Sequence, residues 1–196
     1  MPIQPENNKR CLPLSITDRS IVLVGLMGAG KTCIGRRLAK KMDWEFIDTD
    51  AEIEAAADCT IGEIFNVHGE EYFRKGEQRV IARLLKNPRQ ILATGGGAFQ
   101  NPETRKNILN NAISIWLKAD LDVLLKRISK RNNRPLLNRG NKREILANLI
   151  KNRYPIYSEA DIVINSGAEA PNATTQKVLN ALIKYGKVFE TQDQKK

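Results

Sequence analysis

Short apolar runs alternate along the chain with longer stretches in which apolar residues recur at helical spacing. The short runs predict strands at residues 21–24, 44–47, 90–93, 113–117 and 161–164. The longer stretches predict helices over residues 33–39, 50–57, 70–85, 102–109, 121–128, 142–152 and 173–184. Strands that alternate with helices are typical of a parallel sheet with helices on both faces. The pattern therefore predicts a three-layer α/β fold with a five-stranded parallel sheet.

Local signals add one short helix and mark the end of another. Thr60 and Glu63 have the spacing of a capping box, which predicts a helix start, and Gly69 is expected to break that helix. Pro155 is expected to interrupt the helix over residues 142–152. The candidate buried positions of the helix over residues 70–85 are Tyr72, Phe73, Val80, Ile81, Leu84 and Leu85.

The ends of the chain and one internal segment are polar. Residues 1–19 carry prolines and charges and lack the apolar core of a signal peptide, which predicts a flexible N-terminal tail. Residues 20–186 form the predicted domain, and residues 187–196 a flexible C-terminal tail. Within the domain, residues 129–141 are basic and glycine-bearing with few apolar positions, which favours a mobile lid.

Composition points to a cytoplasmic protein. No uninterrupted apolar stretch approaches the roughly 20 residues that cross a bilayer, so no membrane segment is expected. Cys11, Cys33 and Cys59 form no C-x-x-C pair, which favours reduced thiols over a disulfide framework or a sulfur-bound metal.

The net charge of +10 is distributed unevenly. Residues 118–153 hold eleven Lys and Arg against three acids, whereas residues 43–77 hold eleven acids against two bases. A nucleic-acid interface would show cations with aromatic residues between them, and this pattern is absent from the sequence. One acidic and one basic segment instead indicate a metal and hydroxyl site that faces a polyphosphate clamp.

Residues 25–32, between the first strand and the first helix, fit the pattern G-x-x-x-x-G-K-[ST]. Such glycines let several backbone N–H groups converge on one anion, at the positive end of the helix dipole. Lys31 is placed to reach the β- and γ-phosphates, and the Thr32 hydroxyl to coordinate Mg²⁺. ATP and Mg²⁺ are therefore the predicted ligands, with an ordinary glycine-rich turn as the alternative.

A typical P-loop protein has a magnesium-binding Asp at the end of a later strand, but here the strand ending at Ala93 has no acid. Asp48, at the end of the neighbouring strand, is the best substitute. Asp50 would face the same way and serve the acceptor hydroxyl as hydrogen-bond partner or base. The alternatives are a helix N-cap for Asp48 and a solvated turn for Asp50.

Five motifs in order resemble the shikimate kinases, small-metabolite kinases of the P-loop class, over residues 21–166. They are the P-loop, Asp48-Thr49-Asp50, the segment 69–77 with Arg74 and Glu77, Thr94-Gly95-Gly96-Gly97, and Arg134-Pro135 followed by Arg153 to Tyr157 and Ala160-Asp161. The resemblance implies ATP-dependent phosphorylation of the 3-hydroxyl of shikimate, giving shikimate 3-phosphate in aromatic amino acid and chorismate biosynthesis. A monomer is expected.

The resemblance also implies the roles of individual residues. Arg74 and Arg153 hold the shikimate carboxylate, Asp50 holds the reacting hydroxyl, and the Gly96 and Gly97 backbone approaches the ring hydroxyls. Glu77 would orient Arg74. The residues that this comparison places at the substrates and metal are, for catalysis, Lys31, Asp50 and Arg134; for ATP, Gly28, Ala29, Gly30, Lys31, Thr32, Cys33, Arg127 and Arg134; and for Mg²⁺, Thr32 and Asp48.

Two other functions stay open at this point. A kinase for another small hydroxylated metabolite, such as gluconate, would share the P-loop and the lid arginines. A nonenzymatic phosphate- or RNA-binding module would use the basic segment and show salt-sensitive affinity for polynucleotides. His68, the only histidine, matches no catalytic position of the family and is not expected to act as a base.

The lid interpretation predicts a change in protease sensitivity. Residues 129–141 should be cleaved readily in the protein alone and should be protected when ATP and shikimate are both present, because closure excludes water from the γ-phosphate. Limited proteolysis followed by mass spectrometry measures the cleavage sites. Equal cleavage of this segment with and without both substrates would contradict the lid.

Overall fold

A parallel sheet of five strands runs through the computed structural model, which describes residues 14–129 and 141–193. The strands are β1 (Ser20–Val24), β2 (Glu45–Asp48), β3 (Gln90–Ala93), β4 (Ala112–Lys118) and β5 (Ile162–Asn165). The helices are α1 (Leu14–Thr17), α2 (Lys31–Met42), α3 (Thr49–Ala57), α4 (Ile61–Leu84), α5 (Pro102–Asn111), α6 (Leu121–Ser129), α7 (Lys142–Tyr157) and α8 (Pro171–Asp193), with a 3₁₀ turn at Ala98–Gln100. The predicted five-stranded parallel sheet is confirmed.

Strand β1 occupies the centre of the sheet, whose order is β2-β3-β1-β4-β5. Every residue of β1 is buried, as expected for a strand covered on both faces. The register pairs Leu23 with Ala93, and Ala93 in turn with Asp48. The carboxyl ends of β1, β2 and β3 therefore meet at one edge of the sheet, which is where open α/β sheets bind ligands.

Two local signals in α4 are confirmed. Thr60 and Glu63 form a reciprocal capping box, in which the Thr60 side chain accepts from Glu63 N–H and the Glu63 carboxylate accepts from Thr60 N–H. Gly69 has φ 80 and ψ 175, which breaks the helical geometry inside α4. A left-handed φ of this kind favours glycine, so the kink has a local cause.

Two predictions about individual residues are wrong. Pro155 lies inside α7 and does not interrupt it: the helix continues to Tyr157, and Ser158 N–H still donates to Tyr154 O. The buried ring of Tyr157 holds this last turn in place despite the missing proline N–H. Tyr72 is 50% exposed, because Phe73 takes the buried face of α4; the Tyr72 ring lies 4.5 Å from the exposed His68 ring.

The folded region is longer than predicted at both ends. Residues 14–17 form a helical turn and Ile16 is fully buried, although they fall in the expected N-terminal tail. Helix α8 continues past residue 184 to Asp193, because Leu182 is buried and the Tyr185 hydroxyl donates to Asp161 Oδ1 at 3.1 Å. Within the described ranges, none of the helices combines the length and apolar character that a membrane span requires.

The burial of Ile16 predicts that the N-terminal turn contributes to stability. Ile16→Ala should lower the free energy of unfolding by roughly 2–5 kcal/mol, because it removes buried methyl groups and leaves a cavity. Val67→Ala is the control, since Val67 is 73% exposed and should change stability by less than about 0.5 kcal/mol. Urea titration of both variants measures the difference, and equal effects would place residues 14–17 outside the cooperative fold.

Candidate active site

A cavity of about 340 Å³ lies at the carboxyl ends of β1, β2 and β3. It is bounded by the P-loop, the start of α3, the glycine turn after β3, α6 and the start of α8. The predicted site residues that line it are Gly28, Gly30, Lys31, Thr32, Cys33, Asp48, Asp50, Gly96 and Arg127. The structure thus brings most of the sequence-predicted site into one cavity.

The P-loop has a backbone that requires glycine. Gly25, Gly28 and Gly30 have φ values of 134, 82 and 103, in the region that side chains disfavour. Gly30 stands at the N-cap of α2, so the positive end of the helix dipole faces the loop without a capping side chain in front of it. Such a loop fits a phosphate group.

Lys31, the first residue of α2, lies over this loop. Its Nζ donates to Gly25 O at 2.7 Å and to Leu26 O at 3.1 Å. The ammonium is therefore at the loop where phosphate oxygens are expected. Cys33, two residues further along α2, is half-buried, and its Sγ accepts from Arg37 Nη1 at 3.1 Å.

Thr32 and Asp48 meet from two different elements. Thr32 Oγ1 donates to Asp48 Oδ2 at 3.1 Å, and Asp48 Oδ1 accepts from Asp50 N–H at 3.2 Å as the N-cap of α3. The two roles predicted for Asp48, helix cap and metal ligand, are therefore compatible with each other. A hydroxyl and a carboxylate are hard oxygen donors of the kind that Mg²⁺ prefers.

The described residues contain no cluster of three or more His, Cys, Asp or Glu that could hold a metal alone. This suits Mg²⁺, which usually takes one or two protein carboxylates and completes its shell with water and phosphate oxygens. Thr32 and Asp48 thus fit a Mg²⁺ ion that binds together with a nucleotide.

Arg74 is held on α4 by two carboxylates. Its Nη1 donates to Glu77 Oε2 at 2.7 Å, and its Nε and Nη2 donate to Glu70 Oε1 at 3.2 and 3.0 Å. Glu77 is 2% exposed, whereas Glu70 is on the surface. The expected orientation of Arg74 by Glu77 is present, and Glu70 is a second partner that sequence reasoning missed, although its i,i+4 spacing pointed to it.

Burial and the ion pair act in opposite directions on the pKa values of Glu77 and Arg74. Burial raises the pKa of Glu77, while Arg74 lowers it and the nearby Asp50 raises it further. Burial lowers the pKa of Arg74, but the hydrogen bonds and charges of Glu77 and Glu70 outweigh this and raise it. The guanidinium therefore stays charged. Glu77 Oε1 is buried and has no hydrogen-bond partner among the described residues.

The three glycines after β3 lie in direct contact with charged side chains. A β-carbon added to Gly95 would be 2.7 Å from Asp50 Oδ1 and 2.9 Å from Glu77 Oε1. One added to Gly97 would be 2.5 Å from Arg74 Nη1. The close approach predicted from the triple glycine is thus present, and it gathers Asp50, Glu77 and Arg74 around one turn.

Arg153 reaches the same turn from α7. Its Nη1 donates to Gly96 O at 2.9 Å, and the Tyr157 hydroxyl donates to the same oxygen. Both arginines that the resemblance assigns to one carboxylate therefore contact the glycine turn. Tyr157 was not predicted as a site residue, although its i,i+4 spacing from Arg153 places both on one face of α7.

Arg127, on α6, ties the P-loop to the loop after β5. Its Nη1 donates to Gly28 O, Ala29 O and Ser166 Oγ at 3.2, 3.1 and 3.1 Å, and its Nη2 donates to Gly167 O at 2.6 Å. The buried Ser166 hydroxyl also donates to Ala29 O at 2.9 Å. Ala29 is buried and presents its carbonyl to these partners. Sequence reasoning assigned no role to Ser166, because a serine after a strand is a generic signal.

Two further residues complete the account of the predicted site. Arg134 falls within residues 130–140, outside the described residues, so its predicted role in the lid stays a prediction. His68 is exposed and lies directly before the kink at Gly69 in α4, where its ring packs on Tyr72.

The chain is similar to known proteins over most of its length. A family model described as shikimate kinase matches residues 27–183. The chain is 54% identical over 167 residues to a shikimate kinase of Paramagnetospirillum magneticum, which covers 85% of this chain and 86% of that protein. It is 49% identical over 177 residues to a shikimate kinase of Bartonella henselae, which covers 90% and 84%.

The structure shows the same similarity. It superposes on a shikimate kinase from Acinetobacter baumannii in complex with shikimate with a TM-score of 0.81 and 36% identity, over 92% of this chain and 98% of that one. The predicted three-layer P-loop kinase fold is confirmed by this superposition.

The raised pKa of Glu77 predicts a pH-dependent effect of Glu77→Gln. Folded Glu77 binds its proton more tightly than unfolded Glu77, so its contribution to stability is present below the ordinary pKa of 4.5 and is lost as the pH rises through the folded value. Glutamine does not titrate. The free energy of unfolding of the parent, relative to Glu77→Gln, should therefore fall in urea titrations as the pH rises above 4.5.

Glu71→Gln is the matched control on the same helix. Glu71 is exposed, and its hydrogen bond to Lys75 and the charge of Lys75 lower its pKa, so its contribution should have the opposite sign. A difference between parent and Glu77→Gln that does not vary with pH would show that burial does not dominate the ionisation of Glu77.

Proposed function

This chain belongs to the shikimate kinase family, and we propose which of its residues carry out the reaction of that family. The reaction transfers the γ-phosphate of ATP to the 3-hydroxyl of shikimate and yields shikimate 3-phosphate and ADP. The observation that carries the assignment is the meeting of Asp50, Arg74 and Arg153 at the glycine turn, which lines the same cavity as the P-loop. The P-loop forms a donor end of the cavity that suits a polyphosphate. The glycine turn, with Arg74 and Arg153 beside the cavity, forms an acceptor end that suits a small hydroxylated carboxylate.

The donor end uses the P-loop and the start of α2. We assign the phosphates of ATP to the backbone of Gly28, Ala29 and Gly30 and to the Lys31 ammonium, which already lies over the loop. Thr32 and Asp48 would hold Mg²⁺, which neutralises phosphate charge when it is bound. Arg127 donates to two P-loop carbonyls and to Gly167 O. We therefore assign it to the adenine end of the nucleotide, where it holds the P-loop and the loop after β5 together.

The acceptor end uses the two arginines. A guanidinium pairs with both oxygens of a carboxylate through its planar fork, and two of them suit the single carboxylate of shikimate. Glu77 and Glu70 fix Arg74 on α4, so little conformational entropy is lost when the substrate binds. The Gly96 and Gly97 backbone is assigned to the ring hydroxyls.

Asp50 is assigned to the reacting hydroxyl. It follows the Mg²⁺ candidate Asp48 by two residues and lies against Gly95, between the donor and acceptor ends of the cavity. It would accept the hydrogen bond of the 3-hydroxyl and orient its oxygen for in-line attack on the γ-phosphate. Phosphoryl transfer depends mainly on such positioning and on charge stabilisation. The resemblance assigns charge stabilisation to Arg134.

Location and assembly are separate proposals. Cys33 and Cys59 are free thiols, which supports a cytoplasmic location. A monomer remains the expected state, since both halves of the site come from one chain. Size-exclusion chromatography with light scattering tests this expectation, and a stable dimer would contradict it.

The substrate assignment predicts selective turnover. With ATP and Mg²⁺, the protein should phosphorylate shikimate and leave gluconate, nucleoside monophosphates and dephospho-coenzyme A unchanged.

Arg74→Lys should raise the KM for shikimate by roughly tenfold or more and leave the KM for ATP unchanged, because lysine loses the paired hydrogen bonds. Asp50→Asn should lower kcat strongly and retain ATP binding. Coupled ADP-release kinetics measures each constant.

Arg79→Lys is the control for the substitution at Arg74, because Arg79 is an exposed cation on the same helix that bonds only to Lys75 O in the described structure. It should leave both KM values unchanged. Turnover of another acceptor with none of shikimate would disprove the function. An unchanged shikimate KM in Arg74→Lys would disprove the carboxylate assignment alone.

A further inference from the structure

The carbonyl groups of the glycine turn are held in two different ways. Gly95 O accepts from Ala98 N–H at 3.2 Å, and Gly97 O accepts from Gln100 N–H at 3.0 Å, so both are fixed within their own turn. Gly96 O instead accepts from two side chains of α7, Arg153 and Tyr157. The middle peptide of the turn is therefore positioned from outside.

Gly96 is also in contact with the P-loop. A β-carbon added to it would lie 3.7 Å from Gly25 O and 3.7 Å from Met27 N. Glycine has more backbone freedom than any other residue, and three in a row can adopt many conformations. The position of Gly96 between the P-loop and α7 thus depends on its carbonyl contacts.

Arg153 has a second task that competes with this contact. Under the proposed function, its guanidinium pairs with the shikimate carboxylate, whose charge is a stronger acceptor than a neutral carbonyl. A guanidinium that turns toward the carboxylate contributes less to Gly96 O. The substrate cannot compete for the Tyr157 hydroxyl in this way, because Tyr157 is only 1% exposed and the other side chains that act on its hydroxyl, Arg153 and Gln100, belong to the protein itself.

Tyr157 is built to hold this contact. Its ring packs on Trp116, 5.9 Å away, and on Phe99, 6.3 Å away. Burial raises its pKa to about 12, against the opposing charge and hydrogen bond of Arg153. The hydroxyl therefore keeps its proton and acts as a donor throughout the neutral range.

We propose that Tyr157 is a positioning residue for the acceptor site: its hydroxyl fixes the Gly96 carbonyl, so that Arg153 is free to bind the substrate carboxylate. This inference rests on the proposed function, because it needs Arg153 to contact the acceptor. It assigns to the second tyrosine of the Arg153 to Tyr157 motif a role in substrate affinity as well as in packing.

Tyr157→Phe tests the proposal, because it removes one oxygen and keeps the ring. The KM for shikimate should rise by about two- to tenfold, as expected for one lost hydrogen bond, while the KM for ATP stays within about twofold. Hydrogen–deuterium exchange of the peptide that covers residues 94–98 should become faster. Steady-state kinetics and mass spectrometry measure the two effects.

Tyr154→Phe is the matched control. Tyr154 lies on the same helix, packs on Trp116 and donates its hydroxyl to a backbone carbonyl, Ala119 O, which is not part of the glycine turn. It should lower the thermal midpoint to a similar extent and leave both KM values and the exchange of residues 94–98 unchanged. Equal effects of the two variants on the shikimate KM would overturn the proposal, because both would then act through general packing.

Arg153→Gln provides a second test that does not depend on Tyr157→Phe being folded. With Tyr157 intact, exchange of residues 94–98 should stay close to that of the parent although shikimate binding is weakened. A large increase in exchange would show that Arg153, not Tyr157, holds Gly96, and would overturn the proposal. A parent enzyme that fails to phosphorylate shikimate would instead disprove the proposed function. The exchange measurements do not require turnover, so the two failures can be told apart.

Discussion

The contact between charged side chains and the glycine backbone after β3 is the constraint on which the proposed acceptor end depends. Asp50 and Glu77 lie where a side chain of residue 95 would be, and Arg74 lies where a side chain of residue 97 would be. Because these groups fill that space, the turn can present only its backbone to a ligand. The charged groups can occupy these positions only because residues 95 and 97 are glycines without a β-carbon.

The charges of the cavity are arranged in a sequence that fits transfer between two anions. The N-terminus of α2 and Lys31 are positive at the P-loop, and Arg74 and Arg153 are positive at the glycine turn, beside the cavity. The carboxylates of Asp48 and Asp50 line the cavity, where Asp48 accepts from Thr32 and Asp50 lies against Gly95. Under the proposed function, each anionic substrate would therefore meet its own group of cations.

The sequence was sufficient for features that depend on local spacing. The P-loop, the capping box at Thr60 and the strand ends follow short-range rules, and the structure confirms them. Contacts between distant elements were less accessible: Ser166 and Tyr157 act on carbonyls far away in the chain, and their residue types carry no signal of this. Pro155 shows the same limit, because tertiary packing of α7 outweighs the local tendency of proline to end a helix.

The hydrogen bond from Ser166 to Ala29 joins residues 137 positions apart, and this separation affects the order of folding. Contacts between distant parts of a chain form late, because the intervening loop must first be closed. On the ribosome, where the N-terminal part folds first, the P-loop is synthesised early but lacks its support from Ser166 and Gly167 until β5 joins the edge of the sheet. A complete phosphate loop is thus a property of the nearly finished chain, which limits nucleotide binding by nascent intermediates.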